Sequence, residues 1–146
     1  YQVYETAAMG ADVLLLIVRI LDDDQLASLL SLSHGVGLET LVEIHDEADA
    51  RRLAGLDVPV VGINNRDLAH FQTDVDRAAR LAATLPRGAA VVAASGIRDA
   101  ADIRKSLVGG IRRFLVGETL VKAPDPTALL KQWTALPVPA ILNSEP

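Results

Sequence analysis

Cysteine is absent from the chain, which excludes a disulfide framework, a thiol nucleophile and any thiolate-held metal. The three histidines never fall in an HxxxH or HExxH spacing, so no metal site is expected. Aromatic residues make up only 3%, and a core drawn from this sequence must be aliphatic. No uninterrupted apolar run reaches the roughly 18 residues of a membrane span. The opening YQVYETAAMGAD also lacks the basic-then-apolar layout of a secretion signal, so no membrane partner and a cytoplasmic setting are expected. Positive charge never gathers into a stripe: the net charge is −5, and basic residues come at most in pairs such as Arg51-Arg52 and Arg112-Arg113. That removes the electrostatic footprint of nucleic-acid binding. The chain opens on Tyr1 rather than methionine and reads as part of a longer protein.

What is present is repetition. Short apolar runs alternate with polar turns and amphipathic segments about every 20 to 30 residues. The runs are Val13–Val18, Thr40–Ile44, Val58–Ile63, Ala89–Ala94 and Phe114–Val116, nearly continuous in apolar residues, as parallel strands covered on both faces should be. Helices are expected after Asp22-Asp23-Asp24, with Leu26, Leu29, Leu30 and Leu32 as the buried stripe, after Asp46 and after Asp74. The Asp triplet reads as helix capping rather than a metal site. Gly35 and Gly37, then Gly109 and Gly110, close helices. Val3–Met9 reads as the last turns of a helix, and Trp133 as packing on the final one.

Repeated βα units make either a doubly wound sheet or a closed barrel. The G-x-G-x-x-G turn of doubly wound nucleotide folds is missing. Glycines fall instead at Ser95-Gly96 and Gly117-Glu118, in the last two strand-to-helix junctions, where barrels bind phosphate. The expected fold class is therefore α/β, a partial (β/α)8 TIM barrel of about five parallel βα units with the N-terminal three strands absent. Residues 1–136 would form it, with 137–146 a Pro-containing C-terminal tail. A partial barrel has two open edges, which invite self-association and poor solubility.

In such a barrel, chemistry collects at the C-terminal ends of strands. Within ETLVEIHDE, alternation puts Leu41, Glu43 and His45 on the inner face and Val42 and Ile44 under the helices. Glu43 is then a carboxylate in an apolar mouth, where desolvation suits it to acid or base work; the alternative is a Glu that pairs with a lysine or tops the core. In VVGINNRDL, Val60, Gly62 and Asn64 point inward, and Arg66 follows in the loop, where it can hold a carboxylate or phosphate. The plainer reading makes Asn64-Asn65 a turn and Arg66 a surface ion-pair partner. At VVAASGIRDA and FLVGETL, the letters run from a strand through a small residue and a glycine straight into a helix, so amides of Gly96, Ile97, Gly117 and Glu118 can converge on a phosphate.

YQVYETAAMGADVLLLIVRILDD, ETLVEIHDE, VVGINNRDL with FQTDVD, ASGIRDAADI and FLVGETLVKAPDP together resemble indole-3-glycerol-phosphate synthase, from Tyr1 to about Leu136. The pairing of LVEIHDE with GINNRDL separates that family from other phosphate-binding barrels. The resemblance implies a carbon–carbon lyase of tryptophan biosynthesis that closes the ring of 1-(2-carboxyphenylamino)-1-deoxyribulose 5-phosphate, with loss of CO2 and water, and uses no cofactor or metal. It implies that Glu43 acts in acid or base catalysis late in the reaction and that Asn64 orients the substrate. Arg66 would lie near the departing carboxylate, and Ser95-Gly96 and Gly117-Glu118 would hold the phosphate of this sugar-phosphate partner. Two departures stand out. The family's essential lysines would lie before Tyr1, so this chain alone is expected to be nearly inert, and Ala94 replaces the family's usual Glu before Ser95. The competing expectation is a non-catalytic or decayed phosphate-ligand-binding half-barrel module.

Overall fold

Each expected helix start carries a carboxylate, and the computed structural model, which describes residues 1–64, 80–82, 84–85 and 88–139, shows what these groups hold. The helix α1 spans Gln2–Ala8 and leads to strand β1, Val13–Ile17, and a short 3-10 turn at Val18–Ile20. Helix α2, Asp23–Gly35, opens on a reciprocal cap in which Asp22 accepts from the Gln25 amide and the Gln25 side chain accepts from the Asp22 amide. Then follow β2 (Glu39–Ile44), α3 (Glu47–Arg51), β3 (Val60–Ile63), β4 (Ala90–Ala93), α4 (Ala100–Val108), β5 (Arg113–Phe114), α5 (Glu118–Lys122) and α6 (Pro126–Thr134). The helix expected after Asp74 begins outside the described residues, although residues 80–82 are helical.

The five strands form one sheet in the order β1-β2-β3-β4-β5, every pairing parallel. Spatial order follows sequence order without the reversal that defines a doubly wound sheet, as in a barrel wall. Fully buried Val42, Ile44, Val61 and Ile63 lie on the helix-covered face, packed with Leu26, Leu53 and Leu81, and Trp133 joins the same cluster. On the opposite face Val13 and Leu15 are about half exposed, 52% and 47%, as is Leu115. Leu41, Val60 and Val92 line a hollow of about 460 Å³ on that inner face. The alternation expected for β2 and β3 is the observed one. Gly62 sits where an added Cβ would lie 3.3 Å from the end of the Leu41 side chain and 3.4 Å from Ala94, so a methyl group there would ask Leu41 to give by a few tenths of an ångström.

Differences from expectation are local. The third strand starts at Val60 rather than Val58 because Pro59 has no N–H for the ladder, although its carbonyl still accepts from Ala90. In α2 the residue completing the stripe of Leu26 and Leu30 is Ser33, fully buried, while Leu32 is half-buried. The 3.6-residue repeat carries position 33 under the sheet, and its hydroxyl is satisfied by donating to the Leu29 carbonyl at 2.7 Å. Of the glycines expected to close helices, Gly37 and Gly110 take positive φ, whereas Gly109 does not. After α6, residues 137–139 carry no regular structure, and the Pro139 carbonyl accepts from Arg112.

Candidate functional site

The ladder continues one residue past each strand. Asn64 donates to the Ile44 carbonyl, Ala94 to Ile63 and Leu115 to Ala93, each at 2.9 Å. Positions 45, 64, 94 and 115, one step beyond the paired residues Ile44, Ile63, Ala93 and Phe114, are therefore level, and their side chains and those next to them stand around one rim. There Asn64 Nδ2 donates to Glu43 Oε1 at 3.1 Å, and Ser95 Oγ donates to Asn64 Oδ1. Three consecutive strands thus contribute one carboxylate, one amide and one hydroxyl to a continuous chain of hydrogen bonds. The amide is fixed by it: Nδ2 faces the carboxylate, and Oδ1 faces the hydroxyl.

Beside this chain opens a cleft of about 1010 Å³, lined by Asn64, Ser95, Gly96, Ile97, Gly117 and Glu118 along with the Ala94 methyl group. The two glycine corners and the polar chain expected from the sequence are thus brought to one opening. The corners are tied together, since Thr119 Oγ1 donates to the Ile97 carbonyl at 2.6 Å. Arg98 and Lys122 border the cleft and are held by Asp102 and Glu118 respectively. Arg66 lies outside the described residues.

The corner after β4 differs from its expected form. No helix follows Gly96 directly: α4 begins at Ala100, and Asp99 caps it by accepting from the Ala101 and Asp102 amides. The amides of Gly96 and Ile97 belong to a loop, with Gly96 at φ 80°, a left-handed conformation suited to glycine. The second and third amides of α4 are already used by the Asp99 side chain.

A feature missed by sequence reasoning explains how the corners after β2 and β4 are held. His45-Asp46-Glu47-Ala48-Asp49 and Arg98-Asp99-Ala100-Ala101-Asp102 have the same pattern, a basic residue followed by Asp at the first and fourth places after it. In each, the first Asp caps the helix by accepting from the amide of the second. The second folds back and accepts from the amide of the basic residue, His45 to Asp49 at 2.8 Å and Arg98 to Asp102 at 3.0 Å. Both second carboxylates are buried. The repeated D-x-x-D is visible in the letters; only the first Asp of each pair reads as a cap by rule.

The hydrogen bond from the Asp102 amide, with a smaller contribution from that of Ala101, holds the Asp99 carboxyl below the ordinary carboxylate range. Its folded value lies below its unfolded value, so the stabilisation is complete above the unfolded value and is lost as pH falls through the folded one, below about pH 4. Asp99→Ala should lower stability by about 1 kcal/mol at neutral pH, and Asp99→Asn by less while removing this acid-side loss. Urea midpoints at pH 7 and pH 3 check both; equal pH dependence in wild type and Asp99→Asn would refute the assignment. The hydrogen bond and charge of Asp102 raise the Arg98 guanidinium above its ordinary value.

Among the described residues no cluster of three metal-ligating side chains is present, and no helix is long and apolar enough to cross a membrane.

The family model described as Indole-3-glycerol phosphate synthase matches residues 1–133. A protein of that name from Desulfosudis oleivorans is 49% identical over 132 residues, covering 90% of this chain and 50% of the relative. Another from Polaromonas sp. is 42% identical over 136 residues, covering 93% and 52%. The chain spans about half the length of these curated relatives. Among solved structures, 3-hexulose-6-phosphate synthase from Salmonella typhimurium matches with a TM-score of 0.76 at 16% identity, covering 91% of this chain and 64% of that one. Thiamine phosphate pyrophosphorylase from Pyrococcus furiosus matches at 0.71 and 14% identity, covering 90% and 62%. At these identities the likeness is one of fold, and it agrees with the sequential parallel sheet: the chain is an α/β, partial TIM-barrel array.

Proposed function

Since the chain belongs to the indole-3-glycerol phosphate synthase family, we infer that it supplies the acid–base and phosphate-holding part of such a synthase. The reaction would convert 1-(2-carboxyphenylamino)-1-deoxyribulose 5-phosphate to indole-3-glycerol phosphate, with release of CO2 and water. The observation that carries this reading is the Glu43–Asn64–Ser95 chain beside a cleft rimmed by two glycine corners. Closing the ring and expelling water needs a group that can give and take a proton at a fixed place, and Glu43, aligned by Asn64, is such a group. Asn64 and Ser95 would orient the sugar hydroxyls, the amides of Gly96, Ile97, Gly117 and Glu118 would take the phosphate, and Arg66 the carboxylate that leaves. No cofactor is needed for this chemistry. On this reading the family's essential lysines, one of them the general acid, would lie upstream of Tyr1, so the 146-residue chain alone would be nearly inert, and its open edges would favour self-association.

One observation favours a second reading. Ala94 presents only a methyl group to the cleft where the family's usual Glu would put a carboxylate; loss of one polar group at such a position commonly removes about 3 kcal/mol of transition-state stabilisation. A phosphate-ligand-binding module without turnover would tolerate that loss. The parent protein, given the ribulose phosphate substrate, should generate indole fluorescence, and Ala94→Glu should raise the rate. Absence of turnover in both versions, with the substrate still bound, would favour the binding module over the synthase.

A further inference from the structure

His45 is not on the Glu43–Asn64–Ser95 chain, yet it stands directly behind it. Its side chain is 4% exposed and lies between two carboxylates at ion-pair rather than hydrogen-bond geometry: Nε2 is 3.5 Å from Glu43 Oε1, and Nδ1, which makes no hydrogen bond among the described residues, is 3.6 Å from Asp49 Oδ2. Asp49 cannot swing away. It accepts from the His45 backbone amide, its own amide is held by Asp46, and Arg19, from the turn after β1, reaches Asp46 at 3.2 Å and Asp49 at 3.6 Å. Among the described residues, the charged groups around the imidazole are Glu43 on its own strand, Asp46 at the cap of α3, Asp49 within α3, and Arg19 on the preceding turn. A neutral imidazole carries one N–H and can serve only one of two carboxylates, whereas the cation carries two and serves both.

We propose that His45 is a positioning residue, a cationic bridge anchored by Asp49 that fixes the Glu43 carboxylate in the orientation where Asn64 meets it. The proposal rests on the synthase reading for the role of Glu43, but not for the bridge itself. Arg19, Asp46 and Asp49 form a rigid base contributed by the β1 and β2 corners. The imidazole transmits that rigidity to an oxygen that would otherwise rotate at the end of a three-bond side chain. Asn64 alone constrains Glu43 from one side; His45 closes the other.

Two measurements test this separately. In the 146-residue chain labelled with 15N-histidine, both ring nitrogens of His45 should carry protons at pH 7, and Asp49→Asn should convert it to a single neutral tautomer. A neutral ring in the unmodified chain would overturn the bridge. In the parent synthase, His45→Gln should lower kcat about 10- to 100-fold while KM changes less than about twofold, the signature of a misplaced reacting group. The same substitution in a Glu43→Gln background should then have almost no further effect, because its influence passes through Glu43. A residue that only supports the fold would reduce activity in both backgrounds, and that result would sink the positioning role. If His45→Gln does not fold, Asp49→Asn, which keeps the packed volume, takes its place in the cycle. A doubly protonated His45 in a parent that never turns over would leave the bridge standing and remove the reaction reading instead.

Discussion

On the proposed synthase reading, Glu43→Gln in the full-length protein should lower kcat by about 10² to 10⁴-fold with little change in KM. Glutamine matches the shape of the side chain and still offers an oxygen to Asn64 Nδ2, which stands 3.1 Å from Glu43 Oε1, so the geometry of the rim survives. What disappears is the ability to accept a proton and return it. The substitution therefore separates proton transfer from substrate holding, which is left to Asn64, Ser95 and the glycine corners. Steady-state assays over a range of substrate concentrations give the answer. An unchanged kcat would mean that Glu43 only pairs with its neighbours, the plainer role that alternation along β2 leaves open. A loss confined to KM would assign it to binding.

The second large effect concerns the sheet. Ile44→Ala should destabilise the 146-residue chain by about 2 to 5 kcal/mol, since Ile44 is completely buried in the helix-covered core and its loss leaves a cavity. Domains are commonly stable by only about 5 to 15 kcal/mol, so this single change removes a large share of the total. Leu15→Ala, on the inner face and 47% exposed, should cost under about 1 kcal/mol in the same chain. The comparison tests the two-faced reading of the sheet directly. Denaturant titrations should show a large fall in midpoint for Ile44→Ala and a small one for Leu15→Ala, both with unchanged slope. Equal losses would show that the inner face is covered in solution.

Much of the fold and part of the site are legible in the amino-acid sequence. A strand covered on both faces must be apolar throughout, and runs such as Val13–Val18 and Thr40–Ile44 have few other uses; the observed strands fall on them within a residue or two. The last strand is the exception: the apolar run is Phe114–Val116, yet Arg113–Phe114 is the pair that bonds, because β5 has only β4 beside it and its register, Val92 to Arg113, is set by that one neighbour. Period-two alternation puts Glu43 and Asn64 on the same side, and parallel pairing brings them to hydrogen-bonding distance. The corners are harder to read. Whether a chain enters a helix at once or after a loop depends on which side chain captures the first free amides, and Asp99 decides that against a start near Gly96. The back-folded carboxylates of Asp49 and Asp102 escape a reading of the letters for a related reason. Aspartate within a first helical turn reads as a favourable charge for the helix dipole, and nothing in its spacing says that it turns toward the strand instead.

Strand order that copies sequence order has a consequence for how such a molecule is assembled over evolutionary time. Every strand bonds only to the ones before and after it, so a unit added or removed at either border leaves all other registers untouched. Growth by tandem joining, and splitting of a gene between units, are therefore mechanically simple for this architecture. In a sheet whose order doubles back, the first strand lies between two partners, and a unit added before it would have to insert between strands already bonded.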